Sequence, residues 1–474
     1  MKLAVVGGGI AGLAAAHRAV EISRERGLEL DLAVFEAGQR VGGTIQTERH
    51  EGFLVERGPD SFLSEKPWAL DLCRRLGIED RLIRTDDRFR RTYVVFGGRL
   101  HPLPDGFQLL APTRFGPFIR SRLFSLPGKL RMAMDLVLPR GGDPDESLGG
   151  FVRRRLGREA LERVAQPLVA GIYTADPDVL SLVATMPRFL EVERRERSLI
   201  LGLWRAARRA GGRALEDAKG ASGARWSLFV TFADGMEELT RALVSRLPAG
   251  AIRLGQRVAS VTPEGEGWRV GMADGAAALT DGVIIAAESH QAARMVRYTD
   301  PGLSHLLEGI PYASSATVTL AWRRVDIPHA LDGFGFVVPQ VERRSIIACT
   351  FSSVKYAGRA PEGFALLRVF LGGALNEAAL EGDDETLTRV ARAELGDLLG
   401  IQAPPLWSRV SRYPKAMPQY HVGHVARIDA IEGCLRAHPG LALAGGAYRG
   451  VGIADCVRSA EEAAARLLAA HAKD

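Results

Sequence analysis

The stretch Leu3-Ala4-Val5-Val6-Gly7-Gly8-Gly9-Ile10-Ala11-Gly12-Leu13-Ala14-Ala15-Ala16 decides the fold. Four apolar residues suit a buried strand, glycines spaced G-x-G-x-x-G stand at its end, and a helix-forming run follows. Gly7 permits the tight turn, Gly9 lets the backbone approach a pyrophosphate, and Gly12 lets the helix lie close to the strand. Between them Gly8, Ile10 and Ala11 offer backbone N–H groups to the phosphates at the positive end of the helix dipole. A second strand, Leu30 to Phe35, ends in Glu36, 24 residues after Gly12. That is close to the ~20 residues usual for an acid that binds a ribose hydroxyl. The polar stretch Glu21 to Gly27 lengthens the intervening helix and accounts for the difference. Strand, glycine turn, helix, strand and acid in this order predict a Rossmann-like dinucleotide site.

The next residues, Ala37-Gly38-Gln39-Arg40-Val41-Gly42-Gly43-Thr44, narrow the choice of nucleotide. Gly42 and Gly43 let the backbone between Ala37 and Thr44 pass the cofactor a second time, and Arg40 is placed to neutralise phosphate. Strand-Glu-x-x-x-Arg-x-Gly-Gly resembles the fingerprint of the FAD-dependent amine oxidase superfamily and not that of NAD dehydrogenases. The resemblance implies non-covalent FAD, with the turn Gly58-Pro59-Asp60-Ser61 near the flavin and Val258, on a later strand, also at the cofactor.

Composition bounds the remaining possibilities. The 474 residues are 46% apolar and 25% charged, the balance of an ordinary globular protein, and the net charge of +6 is too small to argue for nucleic acid. Cys73, Cys349, Cys434 and Cys456 form no CxxC or Cys/His cluster, which predicts neither a disulfide framework nor a metal site and suits a reducing cytoplasm. The longest uncharged run, Leu3 to Ala16, is too short to span a bilayer.

Along the chain the cofactor half is discontinuous. The predicted class is α/β (α+β), with a Rossmann-like FAD-binding domain at 1–86, 215–300 and 411–474. Residues 87–214 form a helical insertion for substrate entry and membrane contact, and residues 301–410 form an antiparallel-sheet substrate domain. The later cofactor block begins near Trp226 with a strand at Ser227 to Val230, after a small-residue linker at Lys219 to Gly223. It closes with Val283 to Ala287, an apolar run suited to a buried parallel strand. Strands are expected at Ser315 to Trp322 and Leu366 to Leu371. Near the C-terminus, Leu441 to Ala444 leads through a glycine-rich loop into a helix, placing Gly446, Ala447, Val451, Gly452 and Ile453 at the polar edge of a flavin.

Here the resemblance becomes specific. Ala447-Tyr448-Arg449-Gly450-Val451-Gly452 with Asp455-Cys456 resembles the C-terminal signature of the oxygen-dependent protoporphyrinogen oxidase family. Pro167 to Pro177, Met417 to His424, Leu331 to Phe336 and Ala360 to Gly363 match further family segments, so the resemblance covers essentially the whole chain. It departs at Gly446, where the family more often has Asn or Asp, and at Ala454, where it often has Pro.

The resemblance implies a six-electron oxidation of protoporphyrinogen IX to protoporphyrin IX in haem synthesis, with O2 as acceptor and hydrogen peroxide released. Gly171 matches a glycine whose carbonyl faces the substrate, and Val337 and Phe370 match positions that sandwich the ring. Arg91 falls near the propionate-binding arginine, although sequence does not decide between Arg90 and Arg91. His421 and His424 have no third ligand nearby and receive no catalytic or metal role. Rival readings are coproporphyrinogen III oxidation, an amine oxidase, and a non-catalytic FAD protein. From Arg99 to Arg140, seven basic residues against two acidic ones interleave with Leu109, Leu110, Phe115, Phe118, Ile119, Leu123, Phe124, Leu126 and Leu130. This segment predicts peripheral association with a membrane surface or a cover over an acidic substrate. Among partners, a second copy of the chain and the next haem-pathway enzyme stay open.

Overall fold

The computed structural model describes residues 1–108, 110–217 and 228–471. Leu109, the linker Lys219 to Gly223, Trp226 and Ser227 lie outside the described residues.

The chain opens with β1 (Lys2–Val6), α1 (Ile10–Arg26) and β2 (Asp31–Phe35), followed by a hairpin of β3 (Thr47–His50) and β4 (Phe53–Glu56). A second hairpin, β5 (Thr92–Phe96) and β6 (Arg99–Pro102), leads into a helical region. That region includes α2 (Phe115–Arg120), α3 (Leu126–Ala133), α4 (Leu148–Leu156) and α5 (Gln166–Tyr173). The chain returns through α6 (Glu237–Arg246), the short β7 (Ile252–Arg253), the meander β8 (Val258–Glu264), β9 (Gly267–Met272), β10 (Ala277–Thr280), and then β11 (Gly282–Ile285). A large sheet is built by β12 (Tyr312–Arg323), β13 (Gly335–Val337), β14 (Ile346–Phe351), β15 (Phe364–Gly372) and β16 (Trp407–Pro418), with α7 (Asp384–Leu399) before the last of them. β17 (Leu441–Leu443) and α8 (Ile453–His471) end the described chain.

Five strands form an all-parallel sheet in the order β7-β2-β1-β11-β17. Val5, Val34 and Ile284 of its central strands are fully buried, because both faces are covered and every side chain must be apolar. One face packs on α1, α6 and α8, and the other on the β8-β9-β10 meander. The first and last blocks of the sequence therefore meet in one core, α1 against α8. α1 ends where Gly27 adopts φ 66°, a left-handed cap that glycine takes without a Cβ penalty.

The second sheet has seven strands in the order β16-β12-β15-β14-β13-β5-β6. It recruits β5 and β6 from before residue 301 and continues on β16 past residue 410. The pairs β12–β15, β14–β15, β13–β14 and β12–β16 are antiparallel, and the parallel pair joins β13 to β5, which comes from outside residues 301–410. A parallel pair needs a long crossover rather than a hairpin, and the whole helical region with the strands β7 to β11 lies between these two strands.

The helical region is pinned by Asp135 and Arg155, both with fully buried side chains. Arg155 Nε donates to Asp135 at 2.7 Å, Ser198 and the Ile200 N–H donate to its other oxygen, and Arg155 also reaches the carbonyls of Pro139 and Arg197. Each buried charge is thus hydrogen-bonded, the condition under which burying a pair is tolerable.

The close approach of α1 to β1 rests on Gly12, where a Cβ would lie 1.8 Å from the Gly7 carbonyl oxygen. At Gly9 a Cβ would meet nothing nearer than the Gly43 Cα at 3.9 Å. Gly12→Ala is therefore expected to cost about 3 kcal/mol of stability, whereas Gly9→Ala should cost about 1 kcal/mol, the difference between Gly and Ala at a helix N-cap. Urea unfolding of the two variants checks both values.

Candidate active site

Two glycine loops are laid against each other at the carboxyl end of β1. Gly7 has φ 105°, the Gly42 N–H donates to the Gly8 carbonyl, and Gly42 itself has φ 101°. Glu36, at the end of β2, accepts from the Gly8 N–H at 2.7 Å and from the Gly38 N–H at 2.6 Å, so one carboxylate ties the loops together. Arg40 turns its guanidinium onto the carbonyls of Val41, Gly43 and Ile45, which fixes the shape of the Gly42–Thr44 turn. Gly58 is pressed against the same turn, since a Cβ there would fall 1.7 Å from the Thr44 carbonyl oxygen. Ala37 follows Glu36 directly, and the segment leading to Val258 is held beside both by N–H bonds from Gln256 to Glu36 and from Gly255 to Gly38. Val258 is buried beside Phe35 and Val6 in the core below.

This cradle fits a dinucleotide. The cap of α1 is Gly9, with no side chain hydrogen-bonded over the helix N–H groups at Ile10 and Ala11, and the space above Gly9 is open. These N–H groups and the helix dipole suit phosphate, and the acid beside them suits a ribose.

The C-terminal loop approaches the same place. Tyr420 donates its hydroxyl hydrogen to the Gly446 carbonyl at 2.6 Å and accepts from the Gly450 N–H at 2.8 Å, bracing the loop that carries Ala447, Val451, Gly452 and Ile453. His424 stacks on Tyr420 with ring centres 3.9 Å apart and bonds the Tyr448 carbonyl through Nε2. Burial pushes the His424 pKa down to about 4, so the imidazole is neutral. Lys66 Nζ reaches Asp455 in the first turn of α8 at 2.6 Å. None of these bracing roles for Tyr420, His424 or Lys66 was assigned from sequence; Tyr420 and His424 stand in a segment singled out only by resemblance.

The third wall is one face of the seven-stranded sheet. Register places Val94, Val337, Ala348, Phe370, Thr317 and Ser411 in a row across it. Val94, Val337, Ala348 and Phe370 meet the helical cluster. A Cβ at Gly171 would lie 3.9 Å from Val337 Cγ1, so the structure brings Gly171, Val337 and Phe370 to one place. Gly171 is in the last turn of α5, where carbonyls have no helical N–H left to accept and carry the negative end of the dipole. A π-helical turn at Leu161–Ala165 precedes α5, and Gln166 Oε1 at its end accepts from the Gln340 N–H. Such turns re-aim the helix that follows.

Arg91 lies at the start of β5, half exposed, with Nη1 2.8 Å from Asp332, which also accepts from the Tyr93 hydroxyl at 2.6 Å. Arg90 lies exposed, 3.7 Å from Asp87. Asp60 sits beside Lys355 Nζ at 3.2 Å and accepts from the Ser61 hydroxyl. Burial alone would raise its pKa, but the charges of Lys355 and Arg368 and the Ser61 bond outweigh that and hold it down at about 2. Pro59 joins Gly58 to Asp60 in this turn. His421 is half-buried, and burial lowers its pKa also.

Residues 10–468 match the flavin containing amine oxidoreductase family. The coproporphyrinogen III oxidase of Bacillus subtilis (strain 168) is 36% identical over 455 residues, covering 96% of this chain and 95% of its own. The protoporphyrinogen oxidase of Bos taurus is 31% identical over 483 residues, 98% of each chain. A crystal structure from Exiguobacterium sp. 255-15, provisionally described as a protoporphyrinogen oxidase, superposes with a TM-score of 0.85 at 31% identity, covering 100% of this chain and 99% of its own.

The Asp60–Lys355 pair generates a prediction. A carboxyl held below its unfolded value contributes stability that is present above about pH 4 and is lost as pH falls through the folded pKa. Lys355→Met removes the nearest cation and leaves that carboxylate with the Ser61 bond and the Arg368 charge, which should cost about 2 kcal/mol at pH 7. Its acid unfolding, followed by circular dichroism, should begin at a higher pH than in the parent protein.

Proposed function

The chain belongs to the flavin-containing amine oxidoreductases, and from that premise we propose that it oxidises a porphyrinogen to the porphyrin in haem biosynthesis. The observation that carries this reading is the row Val337-Ala348-Phe370 set against the last turn of α5 at Gly171, an apolar wall beside a helix end. A large apolar macrocycle with carboxylates on its rim has the matching shape and chemistry.

The cofactor is FAD. Gly7 to Gly12 and Gly42 to Thr44 would hold its pyrophosphate, Glu36 and Ala37 with Val258 its adenosine part, and Gly58 to Ser61 with Gly446, Ala447 and Val451 to Ile453 its ring. When bound, FAD accepts two electrons at a time, and three such passes with O2 as the final acceptor complete a six-electron oxidation. Val337 and Phe370 hold the substrate ring. The Gly171 carbonyl accepts a pyrrole N–H and orients the face that reacts. The Arg91 guanidinium retains donors beyond those on Asp332 and binds a propionate.

Two porphyrinogens suit this description, protoporphyrinogen IX and coproporphyrinogen III. The second is favoured by the relatives of that name, at 36% identity in Bacillus subtilis and in Propionibacterium freudenreichii, against 31% for the bovine protoporphyrinogen oxidase. Purified protein given each porphyrinogen separately, with porphyrin fluorescence and peroxide followed together, should show a higher kcat/KM for coproporphyrinogen III. Absence of both products with either substrate would refute porphyrinogen oxidation.

The helical region supports docking on anionic lipid. Ile119, Leu126, Leu130 and Val137 are each at least 65% exposed, and Arg114, Arg120 and Arg122 lie exposed among them. No helix among the described residues is long and apolar enough to cross a membrane. The apolar side chains would enter the headgroup layer while the arginines meet its phosphates, delivering a poorly soluble product along the surface. The protein should cosediment with phosphatidylglycerol vesicles at physiological salt, and Leu126→Asp/Leu130→Asp should return it to the supernatant.

A further inference from the structure

Arg368 is a charged residue in the middle of an apolar strand. Its neighbours on β15 alternate cleanly: Ala365, Leu367, Val369 and Leu371 enter the core beside α7, whereas Leu366, Arg368 and Phe370 share the other face. On that face Leu366 packs with Phe53 and Val55 of the β4 side, and Phe370 packs with the helical cluster. Arg368 sits between them, at the seam where the cofactor half and the helical half meet. Register extends the seam sideways as a polar stripe of Thr319, Thr350 and Arg409 beside Arg368.

The guanidinium is not satisfied by the protein. Arg368 is only 5% exposed, and its Nε has no hydrogen-bond partner among the described residues. One Nη donates to the Arg57 carbonyl at a long 3.4 Å, and the group lies 5.0 Å from the centre of the Phe370 ring. The acid that feels its field, Asp60, is already paired with Lys355. A buried guanidinium has five N–H donors and strongly favours an oxygen acceptor, preferably an anion.

We propose that Arg368 is a ligand-binding residue: from the seam between Leu366 and Phe370 its guanidinium takes an oxygen acceptor of a molecule bound in the active site. The acceptor has one chemistry and two sources, a carboxylate of the porphyrinogen or the carbonyl edge of the flavin. This rests on the porphyrinogen reading above.

The test uses full-length holoenzyme with Arg368→Met and Arg368→Lys, after thermal unfolding has shown that both variants fold. If the acceptor is a substrate carboxylate, Arg368→Met raises KM for coproporphyrinogen III about tenfold or more. The flavin spectrum and potential then stay unchanged, and Arg368→Lys recovers part of the loss. If the acceptor is the flavin, Arg368→Met lowers the flavin potential by about 30 mV for each tenfold loss of preference for the reduced form, at unaltered KM. Either result supports the proposal. A variant that folds, with KM and flavin potential both within twofold equivalence of the parent, overturns it. If Arg368→Met cannot be obtained folded while Arg368→Lys equals the parent in both readouts, the role is structural and the proposal also falls. A parent protein that turns over neither porphyrinogen refutes the functional reading instead, and the potential measurement still decides whether Arg368 faces the flavin.

Discussion

The contact between Gly12 and the Gly7 carbonyl is the constraint from which the cofactor half is built. With no Cβ at Gly12, α1 lies directly on the end of β1, and its N-terminus faces the space above the sheet. A side chain there would lift the helix and tilt its free N–H groups away. Everything stacked on this turn inherits its position: Gly42 bonds the Gly8 carbonyl, Gly58 presses on Thr44, and Glu36 spans the Gly8 and Gly38 amides. Four separate segments are thereby held by close backbone contacts and one carboxylate, Glu36.

The large sheet acts as a wall shared by two chemistries. One face is an ordinary apolar core beside α7, with Val318, Leu320, Leu367 and Val369 fully buried. The other carries Thr317, Thr319, Arg368 and Ser411, all buried and all polar. A buried polar face loses stability unless its groups find partners, so a protein keeps one where a ligand is to be bound. Thr317 and Ser411 continue the row of Val337 and Phe370, while Thr319 and Arg368 stand two residues along on the same face.

The structure also sorts the basic segment that stood out in the sequence. Lys129 Nζ is bonded to the Ile119 and Ser121 carbonyls, and Arg131 to those at the end of α4, so both serve the fold. Asp135, one of the two acids in that segment, is buried against Arg155. Leu110, Phe118, Leu123 and Phe124 are core, while Phe115, Ile119, Leu126 and Leu130 are surface. The segment is two-faced, and its exposed side carries Arg114, Arg120 and Arg122 with Phe115, Ile119, Leu126 and Leu130.

The sequence by itself determined the dinucleotide site, because a glycine turn, a helix start and an acid at a strand end are local devices whose spacing is fixed by backbone geometry. It also determined the parallel strands at Leu3 and Val283, whose uninterrupted apolar runs leave no other face to bury. That Asp332 reaches Arg91 depends on the pairing of β5 with β13, which no local pattern shows. Arg368 is one charge in an apolar strand, and only the fold shows it buried against the Arg57 carbonyl and the Phe370 ring. The parallel β5–β13 pair, the bracing of the C-terminal loop by Tyr420, and the Asp60–Lys355 pair were decided by tertiary structure alone. Each joins residues tens to hundreds of positions apart, and no local pattern specifies which distant group will satisfy a buried donor or charge.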